Sequence, residues 1–369
     1  MILKNLTLVN FKNYQHIDLS FDPGVNCLVG NNGVGKTNVL DGIHYLSMCK
    51  SYLNSVDKQN IRFGEKFFII QGEWLVEDES IEIYCGVKAG EKKVVKKNKV
   101  NYEKLGDHIG EFPSVVISPY DRDLIVEGSE VRRKWIDGII SQFNREYLYL
   151  LVKYTKILEQ RNALLKQFFE HGFFERESIE IWDEQLIQVG AEIYKQRIEF
   201  LKDFIPTFQT YYEFIGSPNE TVGLEYKSQL NDCTFAELLA LNQRKDAVAT
   251  YTTGGVHRDD FLFTINGHPV KKFGSQGQQK SYLIALKLAQ FDWLKKHLHK
   301  KPIVLLDDIF DKLDNERVAK LMKLVSENVF GQVIVTDTDS TRVQSIFEKI
   351  NVPYKAIPMM YQADLQANG

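Results

Sequence analysis

The 369-residue chain contains few cysteines, no long apolar segment and no excess of positive charge. Its four cysteines, Cys27, Cys49, Cys85 and Cys233, form no C-x-x-C pair, which argues against a zinc site or a disulfide framework. No segment approaches the ~20 apolar residues of a membrane span, and the first residues are too polar for a signal peptide. We therefore expect a cytoplasmic protein with reduced thiols and no membrane partner. Because the net charge is −3, any contact with nucleic acid would need a local basic patch.

One segment fits a pattern with a known chemical use. Residues 30–37, GNNGVGKT, match the phosphate-loop pattern G-x-x-x-x-G-K-[ST], between a strand-like run and a helix-like run. Glycines let successive backbone N–H groups point at phosphate oxygens, and the start of the helix adds a partial positive charge. A glycine-rich turn with a chance Gly-Lys-Thr would not explain the flanking strand and helix. We predict an ATP site formed by Gly30, Asn31, Asn32, Gly33, Val34, Gly35, Lys36 and Thr37.

Within this loop, Lys36 is expected to supply a full charge to the β/γ-phosphates, and Thr37 to ligate Mg²⁺. A second segment, KPIVLLDD at residues 301–308, predicts a buried strand of a parallel sheet that ends in two acids. Ligands bind at the carboxyl ends of such strands. We expect Asp307 to hold Mg²⁺, directly or through water, and Asp308 to orient or deprotonate the attacking water.

A third segment, GSQGQQK at residues 274–280, opens a long helix with Ser275 as its predicted N-cap. Its first turn would be a second anion-binding helix terminus in one chain. One nucleotide bound to one chain would not easily contact both anion-binding helix termini. The sequence therefore favours an ATP-dependent homodimer, in which the GSQGQQK helix of one subunit closes on the γ-phosphate held by the other.

The rest of the chain suggests an α/β protein with a helical insertion. Apolar residues at three-and-four spacing over 147–168 and 181–204 predict two antiparallel helices, with Pro206 ending or kinking the second. We predict one split domain, 1–118 with 250–369, and an inserted helical arm at 119–249. The lysine-rich residues 88–104 predict a strand pair with a charged tip, either a solvated hairpin or a contact with DNA.

The order of these motifs resembles that of a known family. FKNY at residues 11–14, GNNGVGKT, SQGQQK, LLDD and the Leu313–Asp314 pair resemble the ABC-type ATPases of the structural-maintenance-of-chromosomes and repair branch. Within that branch the chain is similar to the RecF family, through NFKNY, RR–WID, QRNALL, WDEQLIQVG and GGVHRDD. The resemblance implies an ABC-type ATPase head with a short antiparallel helical arm.

The resemblance also implies roles for individual residues and for partners. Lys12 and Asn13 would approach the α-phosphate side, and Asp314 would lie in a dimer-spanning loop. The signature motif that acts in trans would consist of Ser275, Gln276, Gly277 and Gln278. Proteins of this family bind DNA in an ATP-dependent way at gaps or single-strand/double-strand junctions. They help RecO and RecR to load the recombinase.

Several positions depart from the family pattern. Asp308 is one methylene shorter than the glutamate of many ABC-type ATPases, so we expect weak hydrolysis, and the resemblance implies that DNA stimulates it. Val256 replaces the usual proline, Asp337 or Thr338 falls at the switch-histidine position, and no glutamine occurs between Asn101 and Ser141. Two alternatives stay open at this point. A small-molecule kinase would leave SQGQQK and the arm without a role, and a nucleotide-gated scaffold would turn over little ATP.

Overall fold

The computed structural model of the protein describes residues 1–54 and 56–360, apart from the side chains of residues 311 and 312. The chain forms two compact units. The first contains Met1–Asp121, Phe214–Ser217 and the chain from Lys280 onward, and the second contains Arg122–Glu213 and Pro218–Gln279.

The secondary structure alternates between strands and helices along the first unit and is mainly helical in the second. Within the described residues the strands are β1 (Ile2–Phe11), β2 (Tyr14–Ser20), β3 (Val25–Val29), β4 (Phe67–Val76), β5 (Glu79–Lys88), β6 (Val94–Lys97), β7 (Val100–Asn101), β8 (Ser114–Ile117), β9 (Val222–Lys227), β10 (Asp260–Ile265), β11 (His268–Pro269), β12 (Ile303–Leu306), β13 (Val333–Asp337) and β14 (Tyr354–Pro358). The helices are α1 (Lys36–Met48), α2 (Asp123–Val126), α3 (Ser129–Phe143), α4 (Arg145–His171), α5 (Arg176–Ile215), α6 (Phe235–Ala249), α7 (Val270–Phe273), α8 (Gln276–Leu298), α9 (Ile309–Lys312), α10 (Asn315–Ser326) and α11 (Ser340–Lys349).

A five-stranded parallel sheet in the first unit has the order β14-β3-β13-β12-β8. The four residues of β12 and the five of β13 are all buried, as expected for strands covered on both faces. The carboxyl ends of β3, β13 and β12 meet at one edge because the strands are parallel neighbours. That edge carries the phosphate loop and the acid pair.

A second sheet in the first unit is antiparallel, with the order β2-β1-β4-β5-β6-β7. The FKNY segment is the turn between β1 and β2, as predicted, with Lys12 at a positive φ of 54°. The lysine-rich segment contains the predicted strand pair, β6 and β7. Helix α1 packs against strands of both sheets, and its residues Val39, Leu40 and Ile43 belong to the shared apolar core.

The second unit contains the predicted helical arm. Asn144 Nδ2, before α4, donates to Gln196 Oε1 at 2.8 Å, and Arg161 Nε donates to Asp183 Oδ1 at 2.6 Å. The two pairs run in opposite sequence directions, so α4 and α5 are antiparallel. Gly172, at a left-handed φ of 70°, ends α4.

The structure bears on two expectations about the second unit. Of the two alternatives for Pro206, an end of the helix is wrong, since α5 continues to Ile215, and a kink at Pro206 stays a prediction. The predicted boundary at residue 250 also differs from the observed division, since residues 250–279 lie in the second unit. Strand β10 pairs with β9 over six residues, in a three-stranded sheet with β11, and this pairing fixes the segment there.

None of the helices in the described part of the chain is long and apolar enough to cross a membrane.

Candidate nucleotide site

The phosphate loop connects β3 to α1, the strand–turn–helix arrangement that the sequence predicts. Gly33 and Gly35 have φ values of 85° and 104°, which L side chains rarely adopt. A Cβ on Gly35 would also lie 2.5 Å from the Asn13 Nδ2 atom and 2.6 Å from the Tyr14 hydroxyl. The loop therefore needs glycine at residue 35 both for its backbone conformation and for the close approach of the FKNY turn.

The FKNY turn forms hydrogen bonds with this loop and with the start of α1. Asn13 Nδ2 and the Tyr14 hydroxyl both donate to the Val34 carbonyl oxygen at 3.2 Å, and Asn38 Nδ2 donates to Asn13 Oδ1 at 2.7 Å. The turn thus fixes a loop carbonyl, so that neighbouring N–H groups can remain directed at a ligand.

Lys12, in the same turn, forms a buried ion pair with α1. Its Nζ lies 2.6 Å from Asp41 Oδ2. The Asp41 carboxylate also accepts hydrogen bonds from Ser51 Oγ and from the Tyr52 amide. Lys12 is therefore positioned beside the loop by Asp41, and its contact with an α-phosphate stays a prediction.

Lys36 is held by the loop that it follows. Its Nζ donates to the carbonyl oxygens of Gly30 at 2.7 Å and Asn31 at 3.0 Å, and the residue is only 5% exposed. Backbone carbonyls carry no net charge, so these two acceptors do not neutralise the lysine. This is the electrostatic environment that a polyphosphate requires.

Asp307 lies at the carboxyl end of β12 and receives two hydroxyl groups. Thr37 Oγ1 donates to Asp307 Oδ1 at 3.0 Å, and Thr336 Oγ1 donates to the same oxygen at 2.8 Å. Burial raises the pKa of Asp307, and the two threonine hydrogen bonds offset part of that effect. A carboxylate beside a threonine hydroxyl is a donor set that suits Mg²⁺.

The described residues contain no group of three histidine, cysteine or acidic side chains that could hold a metal alone. A magnesium ion at Thr37 and Asp307 would complete its shell with water and phosphate oxygens, which is its usual behaviour in nucleotide sites. The residues present therefore fit an ATP–Mg²⁺ complex.

Asp308 has the backbone conformation expected of a constrained site residue. Its φ and ψ are 46° and 35°, in the left-handed region, and its amide donates to Thr336 Oγ1 at 2.9 Å. Thr336 thus contacts both acids, since it accepts from the Asp308 amide and donates to Asp307.

At the predicted switch-histidine position, Asp337 is buried and forms an ion pair with Arg342. Arg342 Nη2 and Nε lie 2.7 Å and 3.2 Å from the two carboxylate oxygens of Asp337. The Asp337 carbonyl oxygen accepts from the Gly30 amide at 3.2 Å. This position therefore supports the phosphate loop through its backbone.

Where a glutamine is expected after β8, the chain has a buried ion pair. Asp121 lies 2.7 Å from Lys287 Nζ on α8, and also accepts from the Tyr52 hydroxyl at 2.5 Å and the Ser118 amide at 2.8 Å. The loop after β8 is thus tied to α8, the helix that begins with SQGQQK.

Ser275 caps α8 as predicted. The Gln278 amide donates to Ser275 Oγ at 3.2 Å, and the Ser275 amide donates to Gln278 Oε1 at 2.7 Å. This reciprocal pair is a capping box with glutamine at N3. Gln276 and Gly277 form the first turn between them. Residues 275–279 belong to the second unit, and α8 continues into the first.

Asp314 is the N-cap of α10. Its carboxylate accepts from the Arg317 amide at 3.1 Å and forms an ion pair with the Arg317 guanidinium. Arg317 Nε in turn donates to Ser281 Oγ on α8 at 2.8 Å. The proposed dimer loop is therefore linked to α8 through Arg317.

Three features were missed from the sequence: Thr336, the Asp41 partner of Lys12, and the Asp121–Lys287 pair. Thr336 could have been found, because VIVTD reads as a buried strand and its end must lie beside the end of LLDD in a parallel sheet. The two ion pairs have no such signal, since their partners are far apart in sequence.

Comparison with known proteins shows the family of the chain. Residues 2–357 match the family model described as RecF/RecN/SMC N terminal domain. A protein from Flavobacterium johnsoniae called DNA replication and repair protein RecF is 49% identical over 355 residues, covering 96% of this chain and 99% of that protein. The chain belongs to the RecF family.

Other relatives extend the comparison. A RecF protein from Phocaeicola vulgatus is 46% identical, covering 96% of this chain and 95% of that protein. A solved structure of "the recombination mediator protein RecF-ATP in RecFOR pathway" has a TM-score of 0.85 at 31% identity and covers 92% of each chain. An Smc head domain from Pyrococcus furiosus has a TM-score of 0.53 at 16% identity, with coverage of 97% of this chain and 94% of that one, which bears on the fold alone. The predicted fold class, an ABC-type ATPase head with a helical arm, is confirmed.

Proposed function

We propose that the protein is an ATP-dependent DNA-binding ATPase of replication and recombinational repair. The observation that carries this proposal is the Thr37–Asp307–Thr336 cluster, which the parallel sheet places beside the phosphate loop. Relatives of nearly the same length are called DNA replication and repair proteins, and solved relatives are described with ATP. A small-molecule kinase would use the cluster but would leave the capped SQGQQK helix without a role.

The phosphates of ATP would lie in residues 30–37, with Lys36 as the charged ligand. Thr37 and Asp307 would hold Mg²⁺, which when bound neutralises charge on the phosphate oxygens. Asp308 would accept the proton of the attacking water, while its amide is fixed by Thr336. Because an aspartate reaches one methylene less than a glutamate, we infer that hydrolysis is weak. We further infer from the proposed DNA binding that DNA stimulates it.

The capped start of α8 would complete the site of a second copy. Ser275 to Gln278 would approach the γ-phosphate bound by the partner, and the Asp314 loop would contribute to the dimer. ATP is then part of the subunit contact, so that binding closes the dimer on DNA and hydrolysis releases it. RecO and RecR are the inferred partners at gaps, since the solved relatives are described within the RecFOR pathway.

The test of this proposal is Lys36→Ala. We expect the variant to lose ATP binding by at least about 100-fold, because a charge-assisted phosphate contact disappears. Light scattering should then show no ATP-dependent dimer, and labelled gapped DNA should no longer be bound in response to ATP. Since the hydrogen bonds of the Lys36 side chain to Gly30 and Asn31 go to backbone carbonyl oxygens and to no counter-charge, the thermal unfolding of the variant should change little.

Lys349→Ala is the matched control, since Lys349 is exposed at the end of α11. It should dimerise like the parent. Normal ATP-dependent dimerisation of Lys36→Ala would contradict the proposal.

A further inference from the structure

The lysine-rich segment is divided by strand alternation into two sets of side chains. On β5 and β6 the residues Ile83, Cys85 and Val95 point into the core of the antiparallel sheet. Their neighbours Tyr84 and Lys96 lie directly opposite each other on the other face. The sequence alone could not separate these sets, because it shows only a run of charge.

Two of the lysines serve the fold. Lys93 Nζ lies 2.8 Å from the Asp57 carboxylate and 4.9 Å from the centre of the Tyr45 ring. Lys97 Nζ lies 2.7 Å from Glu111 Oε2. These lysines are committed to ion pairs within the first unit.

Three other lysines of the segment, Lys88, Lys92 and Lys96, border a cleft on the outer face of the sheet. The cavity has a volume of about 270 Å³, and its lining includes Tyr84, Lys88, Glu91, Lys92, Val94 and Lys96. Lys88 and Glu91 form an exposed pair, and Lys92 is exposed in the turn before β6. Three lysines against one glutamate leave the cleft positive on a chain whose net charge is −3.

An aromatic ring forms part of the cleft. A Cβ on Gly86 would lie 2.8 Å from the Tyr84 hydroxyl, so the glycine gives the ring room to lie across the sheet. Lys96 Nζ lies 5.4 Å from the centre of the Tyr84 ring, within the range of a cation–π contact. The ring thus positions one lysine and presents an apolar surface beside the others.

We propose that this lysine cleft, formed by Tyr84, Lys88, Lys92 and Lys96, is a contact site for the DNA backbone. Positive side chains would neutralise phosphates, and the Tyr84 ring would pack against a deoxyribose or a base. Charge complementarity favours a polyanion, and the aromatic surface favours a nucleic acid over a simple anion. This inference rests on the DNA binding of the proposed function.

The test is the double variant Lys92→Gln/Lys96→Gln, measured by anisotropy of labelled gapped DNA with ATP over a salt series. Removal of two phosphate contacts should reduce the slope of log affinity against log salt by roughly 2, and affinity near 0.1 M salt on the order of tenfold or more. ATP-dependent dimerisation should be unchanged, because neither lysine lies in the phosphate loop or the acid cluster.

The control is Lys296→Gln/Lys349→Gln, which removes two exposed lysines of α8 and α11. It should retain the parental slope. If the parent binds DNA and Lys92→Gln/Lys96→Gln keeps the parental slope, the cleft proposal alone is overturned. It is also overturned if this variant loses binding to an acidic protein but still binds DNA like the parent. Absence of DNA binding by the parent would overturn the proposed function itself.

Discussion

Arg197 of the second unit and Asp307 of the first are both buried, but their surroundings differ. In the second unit Arg197 is 2% exposed, and its Nε and Nη2 donate to the two oxygens of Asp137 at 3.0 Å and 2.9 Å, while Nη1 lies 3.2 Å from Asp259. In the first unit Asp307 is 3% exposed, yet its hydrogen-bond partners are two neutral threonine hydroxyls.

The difference separates structural charges from functional ones. The family segments RR–WID, QRNALL and GGVHRDD supply Asp137, Arg161 and Asp259, and these residues pair within the second unit. Such a network holds helices in place because each charge has its counter-charge. Burial raises the pKa of both Asp259 and Asp307, but Asp259 has Arg197 as its counter-charge, whereas the Asp307 carboxylate accepts from two hydroxyl groups, and a bound magnesium ion would lower its pKa. Asp137, Arg161 and Asp259 are paired with counter-charges and stabilise the second unit, whereas Asp307 lies beside neutral hydroxyl groups and can hold a ligand.

The largest expected effect comes from breaking the paired network. Arg197→Met leaves Asp137 and Asp259 buried without their cation, so we expect a loss of about 3–5 kcal/mol in the stability of the second unit. Hydrogen exchange should accelerate in α4 and α5 but not in the parallel sheet of the first unit.

A triple variant, Arg197→Met/Asp137→Asn/Asp259→Asn, sharpens this test. It removes the unpaired charges as well, and should recover part of the lost stability. If Arg197→Met exchanges like the parent, the network does not stabilise the arm.

A smaller effect, a gain in stability, is expected from a substitution of Asp307. Burial raises the folded-state pKa of this acid, so the native state binds a proton more readily than the unfolded chain, and stability falls as pH rises through that pKa. The Asp307→Asn variant has no carboxyl group to ionise at this position, so it does not lose stability in this way as the pH rises. Its unfolding temperature without nucleotide should exceed that of the parent at neutral pH, by less than Arg197→Met lowers it, and the gain should vanish at acid pH.

The same variant should lose magnesium-dependent ATP hydrolysis, because the carboxylate is gone. A lower unfolding temperature at neutral pH would show that Asp307 is a structural charge like Asp137. Differential scanning calorimetry over a pH series makes the comparison.

Sequence reasoning succeeded where the signal is local. The phosphate loop, the LLDD strand, the FKNY turn and the capped start of α8 each depend on residues within one short segment. The boundary at residue 250 was wrong because β10 takes its partner, β9, from across α6. The Lys12–Asp41 and Asp121–Lys287 pairs form only after folding, when helix and strand approach. Strand register likewise decides which lysines of residues 88–104 face outward.

The central claim, that one subunit's SQGQQK helix completes the other's phosphate loop, is tested most directly by mixing two inactive variants. Lys36→Ala lacks the phosphate contact, and Ser275→Arg blocks the capped helix start, so each homodimer should hydrolyse almost no ATP. Random pairing in an equal mixture would make half of the pairs mixed, each with one intact site, so the mixture should regain DNA-stimulated hydrolysis up to about a quarter of the parental rate. A mixture as inactive as its components would contradict a site shared between two subunits.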